Sequence, residues 1–176
     1  EVAAWHNRGG GSVRAVTPGP VRPVRVQDGQ GRWLVDMGER DNGCCLMALT
    51  NLMTSSAFWV WSSRADGTHA LGSLKRNYAG HGEFRNDVFR RSDRTALFYT
   101  TTRTAMNGLW YKDALPITPN VTTIPLDQMM LISGTMQGWG MRVSALGGYD
   151  FDPDDSATYA GSGGMLLAEV LLYDRT

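Results

Sequence analysis

The chain has 176 residues, the length of one ordinary domain and enough for a single hydrophobic core. Its 17 basic and 17 acidic residues cancel, so no overall field draws it toward nucleic acid or an anionic membrane surface. No apolar run approaches the ~20 residues that a membrane-spanning helix requires, which argues against membrane insertion.

The start of the chain, EVAAWHNRGGG, has neither an initiator methionine nor a signal-peptide pattern. We therefore expect one domain over residues 1–176, cut from a longer or processed protein whose other domains are its neighbours.

Short apolar or alternating stretches between Gly, Pro, Asn and Asp recur along the chain, whereas helical periodicity is rare. The predicted fold class is therefore all-β. The opening stretch is rich in glycine and proline up to Pro23, and we expect it to run over the surface because proline cannot donate to a ladder. The predicted strands, in chain order, are 32–37, 44–49, 57–62, 68–74, 96–103, 109–115, 129–133, 141–144 and 165–173.

Two local features refine these strands. Cys44 and Cys45 are neighbours on a predicted strand and point to opposite faces, so two buried thiols are expected rather than a disulfide. The segment LWYKDALPI predicts a hairpin with Lys112 and Asp113 near its tip, although Asp-Ala suits a tight turn less well than Asn-Gly.

The closing strip MLLAEVLLY contains one acid, Glu169, among apolar residues. It is short, follows a glycine-rich turn and is apolar on all sides, so a strand packed on both faces is favoured over a helix. Regular alternation puts Glu169 on one face with Met165, Leu167, Leu171 and Tyr173, and it leaves Leu166, Ala168, Val170 and Leu172 on the other.

The ending GGMLLAEVLLYDRT resembles the last strand of the laminin G-like branch of the concanavalin A-like lectin/glucanase superfamily. Other segments follow in the family's order: VAAWHNRGGG is similar to its tryptophan-containing opening, and RPVRV and GRWLVDMGERDNGCCLMAL to its next segment and strand. SSAFWVWSSRADG, ALFYTTTRTAMNGLWYKDALPI and MRVSALGGYDF are similar to later strands. The resemblance spans nearly the whole chain, its closing motif is the specific part, and it departs at Lys112-Asp113, where the family often has Asn-Gly.

The resemblance implies a two-sheet antiparallel jelly-roll sandwich. It also implies that Glu169 lies inside, where a carboxylate requires charge-assisted hydrogen bonds from backbone N–H groups or an arginine.

The sequence contains no strong catalytic motif. The glucanase branch supplies its two carboxylates from a Glu-x-Asp-x-x-Glu strand, which this chain lacks. The three histidines are scattered without metal-ligand spacing, and there is no phosphate loop or nucleophile elbow. A binding module is therefore predicted rather than an enzyme, although an acid pair assembled from distant loops stays open.

The segment YDFDPDDSAT is the most suggestive polar cluster. Alternate acids in a loop can converge on one calcium ion, which takes 6–8 oxygen ligands, but a solvated acidic loop with Asx turns is the favoured interpretation. The candidate metal ligands are Asp150, Asp152, Asp154 and Asp155.

Aromatic residues suggest a sugar site, because their faces are apolar platforms for sugar C–H groups. Most of the six tryptophans are predicted to be core, with Trp59 and Trp61 on one strand face. Trp139 lies between two glycines in QGWGM, and with Tyr149 and the acidic loop it is proposed to flank a rim site; packing of Trp139 over a sheet edge is equally compatible. Trp110 and Tyr111 are weaker candidates.

The sequence thus predicts a carbohydrate-binding or adhesion module of an extracellular or cell-surface protein, with a glycan or a cell-surface protein as its partner. The alternative is a structural or protein-interaction domain without a sugar site, and a polysaccharide-cleaving enzyme is a third possibility. Asn120 begins an Asn-Val-Thr triplet that matches a glycosylation acceptor, a pattern that also arises by chance.

Overall fold

A computed structural model gives the fold. Backbone and side chains are described in residues 22–38, 54–62, 108–118, 121–135 and 165–174, together with Ala4 and Leu146, and elsewhere the structure describes the backbone of strands. Within these residues the chain is all-β, as predicted. The described part contains no helix long and apolar enough to cross a bilayer.

The described residues form fifteen strands. They are Ala4–His6 (β1), Arg14–Val16 (β2), Val24–Gln27 (β3), Trp33–Asp36 (β4), Met47–Thr54 (β5), Ser56–Ser63 (β6), His69–Gly72 (β7), Val88–Arg90 (β8), Leu109–Lys112 (β9), Leu115–Ile117 (β10), Met130–Thr135 (β11), Met141–Leu146 (β12), Gly148–Tyr149 (β13), Ala160–Gly161 (β14) and Met165–Tyr173 (β15).

These strands pair antiparallel throughout. A seven-stranded sheet has the order β10-β9-β11-β6-β15-β4-β3, and a four-stranded sheet has the order β1-β2-β5-β12. Two further pairs join β7 with β8 and β13 with β14. The central strands of the larger sheet, β6 and β15, are also among the longest.

Most predicted strands are confirmed. The closing strand has the predicted bounds, and the strand predicted at 44–49 overlaps β5, which is described from Met47 to Thr54. The opening stretch was expected to run over the surface, and the structure adds that it contains two short strands, β1 and β2, which pair with each other. The strand predicted at 96–103, Cys44 and Cys45, and Asn120 lie outside the described residues.

One face of the seven-stranded sheet carries the core. Register places Trp59 opposite Ile132, and Trp61 opposite both Met130 and Leu167. All five side chains are 0–2% exposed. We call this side of the sheet the tryptophan face, and its burial confirms that Trp59 and Trp61 share one side of their strand.

Gly134 provides the space for the third core tryptophan. It lies opposite Trp110 in the β9–β11 ladder, and the Trp110 ring also stacks on Trp59 at 6.2 Å between centroids. A Cβ at Gly134 would overlap Cδ2, Cε3 and Cζ3 of the Trp110 ring. A residue without a side chain is therefore required where the ring crosses the strand.

Gly134→Ala is expected to lower the free energy of unfolding by about 1–3 kcal/mol, because the methyl group displaces a ring in a packed core. Urea unfolding measures the change. Ser133→Ala, next to it on the opposite face, is the matched control and is expected to stay within about 0.5 kcal/mol of wild type. A neutral or stabilising Gly134→Ala would contradict the placement of Trp110 over Gly134.

The closing strand contains a β-bulge that changes which face Glu169 occupies. Leu167 pairs with Trp61, but Glu169 pairs with Val60, so Ala168 is an extra residue opposite β6. Beyond the bulge the alternation shifts by one position. Val170, opposite Trp59, then continues the tryptophan face, while Glu169 turns to the other side and is exposed.

The expectation of a buried, hydrogen-bonded Glu169 is therefore wrong. An unbroken strand would place the carboxylate in line with Leu167, against the core tryptophans, at a cost of several kcal/mol without a partner. The bulge avoids this burial by inserting the small residue Ala168 just before the acid. Leu171 and Tyr173 follow Glu169 to the exposed side, at 40% and 49%.

The two larger sheets are joined at a tight corner. β5 ends at Thr54 and β6 begins at Ser56, so the chain passes from one sheet to the other through Ser55. The Ser55 N–H donates to the Tyr173 carbonyl at 2.7 Å and its hydroxyl donates to the Asp174 carbonyl at 3.2 Å. The corner therefore fixes the end of the closing strand.

The predicted hairpin of β9 and β10 is present with Lys112 and Asp113 at its tip. Its two turn residues, Asp113 and Ala114, have φ of 51° and 66°, the left-handed conformation that a two-residue type I′ turn demands. Asp113 is tied to β11, because its Oδ1 accepts the Leu131 N–H and its N–H donates to the Leu131 carbonyl. Burial raises the pKa of Asp113, but the Leu131 N–H and the Lys112 ammonium outweigh it and lower the pKa overall.

Ala114→Gly is expected to raise the free energy of unfolding by about 0.5–1 kcal/mol, because glycine removes the left-handed strain while giving back part of the gain as unfolded-chain entropy. Ala57→Gly, in an extended and buried position, is the control and is expected to destabilise. Thermal and urea unfolding give both values. A destabilised Ala114→Gly would exclude the left-handed turn.

Candidate functional site

The structure separates the two neighbouring aromatic candidates on β9. Trp110 is 2% exposed and forms part of the core, so its ring has no uncovered face for a ligand. Tyr111 lies on the opposite side of the sheet and is half-buried. Its register partner is Ser133, which in turn lies opposite Phe58.

The other predicted site residues fall largely outside the described residues. Tyr149 belongs to β13, which pairs with β14 through Tyr149 and Ala160, and its backbone alone is described. Trp139 and the four candidate calcium ligands, Asp150, Asp152, Asp154 and Asp155, lie outside the described residues. The rim site and its calcium ion therefore stay predictions.

Within the described part of the chain, no three His, Cys, Asp or Glu side chains are grouped to hold a metal ion. The described residues contain two candidate binding surfaces. One is on the outermost hairpin of the larger sheet, and the other is on the face of that sheet opposite the tryptophans.

The hairpin of β3 and β4 closes through a loop organised by Asp28. Its Oδ1 accepts the N–H groups of Gln30 and Arg32, each at 2.9 Å, and its Oδ2 accepts the Arg32 Nε–H at 2.7 Å. The Gly31 N–H donates to the Asp28 carbonyl, with Gly31 at a φ of 78°. An aspartate often forms such a turn by accepting the backbone N–H groups of the residues that follow it. The loop sets the register of the two strands.

That register brings Arg25 and Trp33 together. Gln27 lies opposite Trp33 and Arg25 opposite Val35, so Arg25 and Trp33 are diagonal neighbours on one side of the hairpin. The Arg25 guanidinium carbon lies 3.7 Å from the Trp33 ring centroid, well within cation–π range. Trp33 nonetheless stays 53% exposed, whereas its neighbour Leu34 is 3% exposed.

The sequence prediction missed this pair. Most of the six tryptophans were expected to be core, and Trp33 was not singled out as an exception. The sequence VRVQDGQGRWLVD does signal the hairpin, because two short alternating runs flank a glycine-containing turn, but it does not give the register that brings the pair together.

The second surface is the face of the seven-stranded sheet opposite the tryptophans, which we call the Phe58 face. A row of Tyr111, Ser133, Phe58 and Leu171 crosses four adjacent strands in register. The Phe58 and Tyr173 rings meet edge to face at 6.0 Å, with an interplanar angle of 89°. The face is apolar and partly exposed, with Glu169 on the same side.

Comparisons with known proteins do not identify the chain: no family model matches it, and neither a curated protein nor a solved structure is significantly similar to it.

The Asp28 loop gives a pH prediction. The Arg32 N–H and guanidinium lower the pKa of Asp28 below its ordinary value of 3.8, against a raising effect of burial and with further help from the Gln30 N–H. Because the pKa is depressed on folding, the loop's stabilisation is full above 3.8 and is lost as the pH falls through the lower, folded value.

We expect the backbone amide shifts of Gln30 and Arg32 in NMR spectra to titrate together with a midpoint below 3.8. Asp28→Asn is the matched variant, which keeps an acceptor oxygen but has no carboxylate to titrate, and its two shifts should stay constant over that range. A midpoint at or above 3.8 in the wild type would contradict the loop geometry.

Proposed function

We propose that the chain is a non-catalytic binding module that takes a carbohydrate and is displayed on an extracellular or cell-surface protein. The observation that carries the proposal is Trp33, an indole that is 53% exposed and held in place by the Arg25 guanidinium on the outermost hairpin of the sheet. An exposed indole is an apolar platform for the C–H face of a sugar ring. The Arg25 contact favours one orientation of the ring before a ligand binds.

The proposed scaffold is a two-sheet jelly-roll sandwich of the laminin G-like kind. Two features support it. The tryptophan side chains and their register partners are almost fully buried, and a sheet cannot cover its own face, which supports a second layer packed on this side. The chain also crosses from the four-stranded to the seven-stranded sheet at Ser55, and Leu146 at the end of β12 is 2% exposed, which favours the four-stranded sheet as that layer.

The outward Glu169 does not support the laminin G-like resemblance. The interior acid was one of the features that the resemblance implied, and this chain turns it outward by a bulge. The sandwich and the binding role therefore rest on the buried tryptophan face and on Trp33 rather than on Glu169.

A second candidate function is a protein-interaction or adhesion module. The Phe58 face favours it, because Leu109, Leu171 and Tyr173 are 60%, 40% and 49% exposed on one side of the sheet. Exposed apolar residues that form one contiguous patch on a sheet face are typical of surfaces that contact other proteins. Tyr111 belongs to this surface.

A glycan array, run with and without calcium, tests the proposed function and the predicted rim site together. If Trp33 is the platform, Trp33→Ala weakens binding and Trp139→Ala leaves it unchanged in either condition. Binding that needs calcium and Trp139 would instead locate the site at the acidic loop.

Trp33→Ala is expected to weaken binding by about tenfold or more, because the stacking surface is lost. Trp33→Phe, which keeps a smaller aromatic face, should retain part of the affinity. Circular dichroism confirms that the variants are folded. No glycan bound by the folded wild type under either condition would contradict carbohydrate binding and leave the interaction module as the better account.

A further inference from the structure

The Arg25–Trp33 pair has the chemistry of a site for an anionic sugar. Trp33 contributes an uncovered apolar surface, since the residue is 53% exposed. The Arg25 guanidinium carbon lies 3.7 Å from the centroid of its ring. One guanidinium cannot cover both faces of an indole, so the rest of the ring is free to contact a ligand. An aromatic surface alone does not distinguish neutral from charged sugars.

Arg25 allows the site to distinguish a charged sugar from a neutral one. Stacking against an aromatic ring engages the flat face of a guanidinium and leaves its N–H donors directed outward in its plane. No described carboxylate forms an ion pair with Arg25, whereas Arg32, on the same hairpin, is bound to Asp28 at 2.7 Å. The donors of Arg25 are the fork that matches the two oxygens of a carboxylate or the oxygens of a sulfate.

The two strands fix the pair in this arrangement. Arg25 is held by its register opposite Val35, and Trp33 by its register opposite Gln27, which also donates from Nε2 to the Gly31 carbonyl at 2.7 Å. Both residues lie on a two-stranded hairpin closed by the Asp28 loop, rather than on a free end of the chain. A preorganised pair loses less conformational entropy on binding than two independent side chains.

We propose that this pair binds a saccharide carrying an oxyanion, with the sugar ring against the uncovered indole surface and the carboxylate or sulfate against the N–H edge of Arg25. This inference rests on the proposed function, because it names the chemical class of the sugar that the same site takes. The selectivity of the site for the charged sugar is electrostatic, so this preference weakens as the salt concentration rises.

The test compares charged and neutral forms of the same sugar by titration calorimetry. The probes are an oligogalacturonate and its methyl ester, and a sulfated galactan oligosaccharide with its desulfated form. Wild type is expected to bind at least one charged probe about tenfold more tightly than its neutral counterpart, the value of one charge-assisted hydrogen-bonded contact. The two pairs distinguish a carboxylate from a sulfate as the recognised group.

Arg25→Gln is expected to remove the preference and leave the weaker binding of the neutral form. Arg25→Lys keeps the charge but loses the flat fork, so it should retain a reduced preference. Lys112→Gln, which removes one positive charge from the hairpin at the other edge of the same sheet, is the matched control and should behave as wild type.

The outcomes separate the two proposals. Equal binding of charged and neutral forms that is lost in Trp33→Ala would overturn the anionic class and leave carbohydrate binding intact. A preference that survives Arg25→Gln, or is lost in Lys112→Gln, would overturn the role of Arg25. Absence of binding to these four probes, in a wild type that binds neutral sugars on the array, would overturn the inference alone; absence of any glycan binding would overturn both.

Discussion

The pairing of the closing strand with β6, broken once by the bulge at Ala168, is the constraint on which the rest of the structure depends. On one side of the bulge Leu167 lies against Trp61, and on the other Val170 lies against Trp59. Both apolar runs of the strand therefore reach the same buried face. The acid between them does not, because the extra residue turns it outward. A strip that is apolar on both faces can then include a carboxylate without burying it.

The same sheet presents different chemistry at its centre and at its margin. The centre is dominated by stacked tryptophans, where Trp110 needs Gly134 beneath it. Two of these indoles, Trp59 and Trp61, are fully buried, and their N–H groups find no hydrogen-bond partner among the described residues. At the margin Trp33 is exposed and stacked by a cation. Core tryptophans stabilise the sheet, and the marginal one is available to a ligand.

Much of the fold follows from the sequence because turn residues bracket its apolar runs. The bounds of the closing strand, the shared face of Trp59 and Trp61 and the hairpin at Asp113 were all predictable from alternation and turn chemistry. The bulge was not, because a continuous apolar strip carries no polar alternation to fix its phase. The Arg25–Trp33 contact was not either, since it depends on a register that the Asp28 loop sets through hydrogen bonds. The faces of Trp110 and Tyr111 were not predictable for the same reason, because the register of β9 with β11 decides them.

Thiol labelling of the closing strand tests the central claim most directly. In a background with Cys44 and Cys45 replaced by serine, single cysteines are introduced as Leu167→Cys and Glu169→Cys, and their reaction with a thiol reagent is followed under native conditions. The bulge predicts that the cysteine at position 169 reacts at the rate of an exposed thiol, while the one at position 167 reacts only on unfolding. Equal protection of both positions would mean that they share one buried face, and it would contradict the bulge and the outward carboxylate.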